Sequence, residues 1–174
     1  MLAYVQVLIK IALRRSGPED LPDSGFLLGL TLAIYFITQV PLALIVYGPN
    51  DLLVRTVSVS LLLLFGGLWI LLRLTGFSAR YRRTLTAMLG ISALLSVLSI
   101  PFSLWRQSLL GAETSVALPS TFLFAIMIWS IAIEGHILAR ALSRPYGIGL
   151  FISIGYFLVQ TTILFELMPV GTGQ

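Results

Sequence analysis

Long uncharged apolar runs alternate with short polar turns along this chain, and the length of each run sets the element it predicts. Residues 24–50 hold no charge, and four further apolar runs follow at intervals of a few residues. A helix rises about 1.5 Å per residue, so roughly 20 apolar residues cross a hydrocarbon layer of about 30 Å. The runs therefore predict five spans, at about 25–47, 56–72, 84–105, 117–139 and 145–165. Asp23 or Ser24 is placed to cap the first. Pro41 falls inside that span, and Pro119 sits in the first turn of the fourth, where a missing N–H costs little. The second span, bracketed by Arg55 and Arg73, is the shortest, and both arginines can snorkel to extend it.

Residues 1–15 predict a helix too short to cross. Leu2, Val5, Ile9 and Ala12 fall on one side, with Lys10 and Arg14 elsewhere, so an amphipathic helix lying at the membrane interface is expected. Pro18 and Pro22 then end helical structure, and Glu19, Asp20 and Asp23 are expected to form a solvated ionic patch with nearby arginines. The organisation that follows is a cytoplasmic amphipathic helix and acidic linker at 1–24, a five-helix transmembrane domain at 25–169 and a C-terminal tail at 170–174. The fold class is all-α, a polytopic membrane helix bundle.

Composition agrees. Hydrophobic residues make up 57% and charged residues 10%, where a soluble domain carries about a quarter charged. The net charge of +4 comes from basic residues that punctuate apolar runs. A nucleic-acid binder needs them as a surface stripe, so no nucleic-acid partner is expected and anionic lipid head groups are. The absence of cysteine excludes disulfides, thiolate metal sites and a cysteine nucleophile. Residues 1–13 lack the small-x-small site of a cleaved signal and are expected to be retained.

Charge also orients the spans. Lys10, Arg14, Arg15, Arg73, Arg80, Arg82, Arg83, Arg140 and Arg144 fall on one side of the alternation, and only Arg55 and Arg106 on the other. The positive-inside rule then puts the N-terminus in the cytoplasm and the C-terminus opposite, in a membrane of bacterial inner-membrane type. Arg73, Arg80, Arg82, Arg83, Arg140 and Arg144 are expected to hold topology and touch head groups. Tyr4, Tyr47, Trp69, Tyr81, Trp105 and Tyr146 lie near run ends as an aromatic belt.

Polar residues inside the runs are the candidates for chemistry. Ser92, Ser96, Ser99 and Ser103 advance by four, three and four, as do Gly149, Ser153, Tyr156 and Gln160. Each set makes one stripe, expected to face protein, the second against the first. Glu134 and His136 are two apart on a helix and point to nearly opposite sides, which excludes a shared metal site. Glu134 is expected to pair with an arginine or hydroxyl across the bundle. Together with Ser130 and Gln160, these two form the candidate polar set. Gly66-Gly67 and Gly147-Ile148-Gly149 read as close helix packing rather than phosphate loops. No catalytic residue, cofactor or metal is expected.

Gly90-Ile91-Ser92-Ala93 with the single His136 resembles the Gly-x-Ser pattern of rhomboid membrane proteases. That reading, a remote alternative, needs Ser92 and His136 within hydrogen-bond reach, and rhomboids have at least six spans. The stretch Ser78-Ala79-Arg80-Tyr81-Arg82-Arg83-Thr84-Leu85-Thr86-Ala87-Met88-Leu89-Gly90, with the layout of residues 122–167, resembles the Yip family of small polytopic membrane proteins. The resemblance implies a membrane scaffold or bilayer-shaping role. Eukaryotic members contact small GTPases, but their soluble extension has no counterpart in residues 1–24, so that contact is not carried over.

The expected function is non-enzymatic: a scaffold, an accessory subunit of a membrane complex or a membrane organiser, with a membrane-protein partner or self-association. The alternative is a small transporter or channel-like component with a polar path near Glu134 and His136.

Overall fold

The computed structural model describes residues 2–48, 51–110 and 115–167. Among them the chain forms six α-helices: α1 Leu2–Ala12, α2 Gly25–Tyr47, α3 Asp51–Leu74, α4 Tyr81–Leu109, α5 Ala117–Ala141 and α6 Tyr146–Leu167. No strand occurs among the described residues. Helices α2 to α6 are each long and apolar enough to cross a bilayer, and the protein is a multi-pass integral membrane protein built as a helix bundle. The turn at Pro49-Asn50, much of the loop after α4, Met168-Pro169 and the tail 170–174 lie outside the described residues.

Local signals place most of the ends. Ser24 caps α2, its Oγ accepting from the Leu27 N–H at 3.3 Å. Three helices close at one end of the bundle with the same backbone bond, in which an N–H reaches the carbonyl five residues back: Arg15 to Lys10, Phe77 to Leu72 and Arg144 to Ala139. This closure needs a left-handed residue. Gly76 adopts it freely at φ 81°, whereas Arg14 and Ser143 adopt it at 59° and 52°.

Two spans run longer than their uncharged cores. Helix α3 begins at Asp51 rather than near 56, and α4 begins at Tyr81 and continues to Leu109 rather than covering 84–105. The reason is the same in both. Arg55, Arg82 and Arg106 are long enough to leave a helix end for water, so charge limits the buried length but not the helix. Pro41 and also Pro101 lie within helices.

Helix α4 is the hub. More than half of its apolar length is buried, whereas each of the other spans leaves most of its length exposed. Residues 84–91 are buried on every side. The hydroxyls of Thr84 and Thr86 donate to the Arg80 and Arg82 carbonyls at 2.9 and 2.8 Å, which satisfies them inside the helix. Helices α2 and α5 flank α4, α6 packs on α5, and α3 leans against α2, α4 and α6. Lipid is as apolar as leucine, so close contact rather than water exclusion holds such helices together. The closest approach is between α5 and α6, where Gly135 and Gly149 leave no room for a side chain: a Cβ on Gly135 would stand 2.7 Å from the Leu150 Cα.

Helix α1 does not lie free at an interface. Leu8, Ile11 and Ala12 are buried in the core, while Val5 and Ile9 of the expected apolar side are exposed. The face is shifted because α4 offers a socket. Gly90 has no side chain, and a Cβ there would meet Leu8 Cδ2 and Tyr4 Oη at 2.8 Å. The Tyr4 phenol lies 2.7 Å from Thr31 Oγ1. Since Thr31 gives its proton to the Leu27 carbonyl, Tyr4 is the donor.

Candidate functional site

Antiparallel connections bring the start of α2, the end of α3, the start of α4, the end of α5 and the start of α6 to one end of the bundle. That end collects the arginines. Arg80 reaches across to the last turn of α5, where its guanidinium donates to the Ala141 carbonyl at 2.8 Å, Ser143 Oγ at 2.7 Å and the Arg140 carbonyl at 3.3 Å. A cation at the negative end of a helix is favourable and satisfies carbonyls that the helix leaves open. Arg140 pairs with Glu19 of the acidic linker. Arg82 stands 3.8 Å from Asp23 with both side chains exposed, a contact of little energetic weight. Arg73 lies over the Trp69 ring at 4.7 Å and Arg14 over Tyr146 at 5.5 Å.

Between these groups opens a cleft of about 560 Å³. Arg80, Arg83, Arg140 and Arg144 line it, with Glu19, Pro18, Ser143 and the ends of α4 and α5. The side chains of Arg83 and Arg144 have no hydrogen-bond or ion-pair partner among the described residues.

A second cavity lies inside the bundle, and every span contributes to it. Tyr35 and Gln39 come from α2, Ser60 and Leu64 from α3, Met88 and Ser92 from α4, Glu134 from α5, and Tyr156 and Gln160 from α6. Counted from the arginine-rich helix ends at about 1.5 Å per residue, these residues lie roughly 10 to 21 Å deep, from about a third of the way across to beyond the middle, with Glu134 and Met88 the shallowest. The chamber holds about 120 Å³. Gln160 Nε2 donates to Ser60 Oγ at 3.1 Å, tying α6 to α3. The Ser96 hydroxyl is 2.5 Å from Gln39 Oε1 and 2.8 Å from the Ser92 carbonyl.

Glu134 is the one carboxylate of this chamber. Ser153 stands 3.5 Å from its Oε2, but the same hydroxyl donates to the Ile131 carbonyl at 3.0 Å. A hydroxyl has a single proton and the shorter bond holds it, so Glu134 has no committed donor. Among the described residues no arginine, lysine or histidine lines the chamber.

An apolar groove of about 290 Å³ adjoins the chamber. It runs between α3, with Leu63, Gly67 and Leu71, and α6, with Ile152, Gly155 and Val159, and shares Leu64, Met88 and Tyr156 with the chamber wall.

The structure sorts the sequence candidates. Glu134 and Gln160 meet in the chamber, with Ser92 and Tyr156. His136 turns away, as its two-residue offset requires, and its Nε2 lies 2.9 Å from the Ser16 carbonyl. A carbonyl only accepts, so Nε2 carries the proton and the ring clasps the linker to α5. Ser92 and His136 therefore serve different places. Ser130 gives its hydroxyl proton to the Met127 carbonyl at 2.7 Å and does not line the chamber.

The two small-residue stripes do not pack on one another directly. Gly149 and Ser153 face α5, and Ser96 faces α2. Ser99 bonds back to the Leu95 carbonyl at 2.8 Å, and Ser103 is buried. The glycine pair brings α6 onto α5, and α4 is held between α2 and α5, so only Ser92, Tyr156 and Gln160 approach, across the chamber. Tyr35, Gln39 and Ser60 belong to this site and form no stripe. Their available signal was depth, since Gln39, Ser60 and Gln160 each stand fourteen residues from the arginine-rich end of their helix.

No protein-family model, curated protein or solved structure matches the chain.

Proposed function

We propose that this is a non-enzymatic membrane-organising protein, a scaffold or accessory subunit that holds anionic lipid at its arginine-rich end. One observation carries the reading. The start of α4, the end of α5 and the turns beside them converge four arginines on a single cleft, and the Arg83 and Arg144 side chains have no hydrogen-bond or ion-pair partner among the described residues. Guanidinium groups match phosphate oxygens in fork geometry. Glu19, already paired with Arg140, occupies an anion's place on one flank. The proposed site takes the phosphate of a lipid head group.

In the same reading the arginine-rich end faces the cytoplasm of a bacterial inner membrane, as the positive-inside rule expects. Kinship with the Yip family belongs to the proposal and rests on the basic turn and the entry of α4. The chain has no cysteine, so single cysteines at exposed Ser78 and Ser115 can be labelled in intact cells with an impermeant maleimide. Labelling of Ser115→Cys alone is expected. Labelling of Ser78→Cys alone would reverse the orientation.

The lipid site is tested by native mass spectrometry of protein released from bilayers that mix phosphatidylglycerol and phosphatidylcholine. The wild type should retain phosphatidylglycerol, and the double variant Arg83→Gln, Arg144→Gln should lose it, while Arg55→Gln at the opposite end should not. Equal retention by all three would refute the site.

A further inference from the structure

We propose that the chamber and the α3–α6 groove form one binding site for an amphipathic organic cation, its ammonium head against Glu134 and its hydrocarbon body along the groove. The site is independent of the lipid-phosphate cleft.

The first argument is charge. A carboxylate seven residues inside the end of α5 stays ionised only with a counter-charge and otherwise takes a proton, because an unpaired ion in a low-dielectric medium is costly. No side chain lining the chamber supplies one among the described residues, and the Ser153 proton is held by the Ile131 carbonyl. A bound cation would supply it. The surroundings suit an ammonium: amide oxygens and hydroxyls can accept its N–H groups, and the aromatic side chains of Tyr35 and Tyr156 line the same space.

The second argument is size and continuity. At about 120 Å³ the chamber holds a head group and little more, since one water takes about 30 Å³ of liquid. The groove adds about 290 Å³ with an almost wholly apolar wall, and Leu64, Met88 and Tyr156 belong to both. Together they reach the size range of small-molecule sites. A Cβ added to Gly155 would have nothing within 4 Å, so the gap there is open. The polar end of the site lies inside the bundle and its apolar end lies between two lipid-facing spans, so a ligand dissolved in the bilayer can enter sideways.

The test is isothermal titration of octylammonium, octan-1-ol and methylammonium into the full chain reconstituted in nanodiscs. Octylammonium should bind saturably, and octan-1-ol should only partition. Glu134→Gln should weaken octylammonium binding at least tenfold. Gly155→Leu, which fills the groove, should weaken octylammonium and leave methylammonium unchanged. Unaltered octylammonium binding to Glu134→Gln would overturn the proposal, as would saturable octan-1-ol binding. Should Glu134→Gln fail to fold, the wild type still decides: methylammonium binding as tightly as octylammonium makes this a small-cation site without the groove and refutes the inference.

Discussion

Replacing Gly149 with alanine tests the contact on which α6 depends. The added methyl would run into the Gly135 carbonyl oxygen and stand 2.6 Å from the Ala139 N and 2.7 Å from the Ala139 Cβ. Carbon contacts are comfortable near 3.5 Å, so α6 must retreat by roughly 1 Å. Overpacking costs about 1–3 kcal/mol. All three obstacles are helix backbone or a Cβ and cannot rotate aside, so Gly149→Ala belongs at the upper end, about 3 kcal/mol. In a chain of this length that lowers the melting temperature on the order of 10 °C. The same shift lifts Ser153 from the Ile131 carbonyl, one turn away. The assay is thermal unfolding in detergent followed by the monodisperse fraction, with Gly155→Ala as control. Gly155 is on the same helix and its Cβ would meet nothing within 4 Å, so the control should stay within about 1 kcal/mol of wild type. Equal melting temperatures for the two variants would show that α5 and α6 are not in backbone contact.

Three further outcomes follow from described contacts. Tyr4→Phe removes the bond to Thr31 and should loosen α1 by about 1 kcal/mol, read by hydrogen exchange. Burial pushes the Tyr4 phenol above its ordinary value of 10.0, against a smaller opposing pull from the Thr31 bond. The docked form is therefore the neutral one: its stabilisation is complete below pH 10 and is lost as pH rises through the raised value, and Tyr4→Phe should abolish that alkaline loosening. Arg80→Lys keeps the charge but not the fork that spans Ala141 and Ser143, and should cost about 1 kcal/mol in melting, where a merely electrostatic role would cost nothing. His136→Phe releases the Ser16 carbonyl, and a loss of about 1 kcal/mol should speed trypsin cleavage after Arg15 about fivefold, while an unchanged rate would show that the clasp is idle.

The spans were legible because lipid imposes a one-dimensional rule. A run without charge must be long enough to cross, and Arg73, Arg80, Arg140 and Arg144 mark where runs stop. Interior geometry is not one-dimensional. Nothing in the order of residues says that Arg80 meets the end of α5 sixty residues away, because that contact exists only once α4 and α5 pack side by side. The opposite directions of Glu134 and His136 were readable from helical period alone. The chamber was readable only in part, since Tyr35, Gln39 and Ser60 are isolated polar residues on helices otherwise free of pattern. The face of α1 was misread because its period is blurred by Leu8 and Ile11, and the socket at Gly90 decided which side is buried.

The docking of α1 gives the molecule unequal girth. Beside Gly90 and Thr31 six helices share the cross-section, whereas nearer the far end only five do. A solid body that is broader in one leaflet displaces more lipid there, so many copies crowded together would favour a surface that bows toward their stout side. On the membrane-organising reading proposed above, shape alone would then bias where in a curved membrane such copies come to rest.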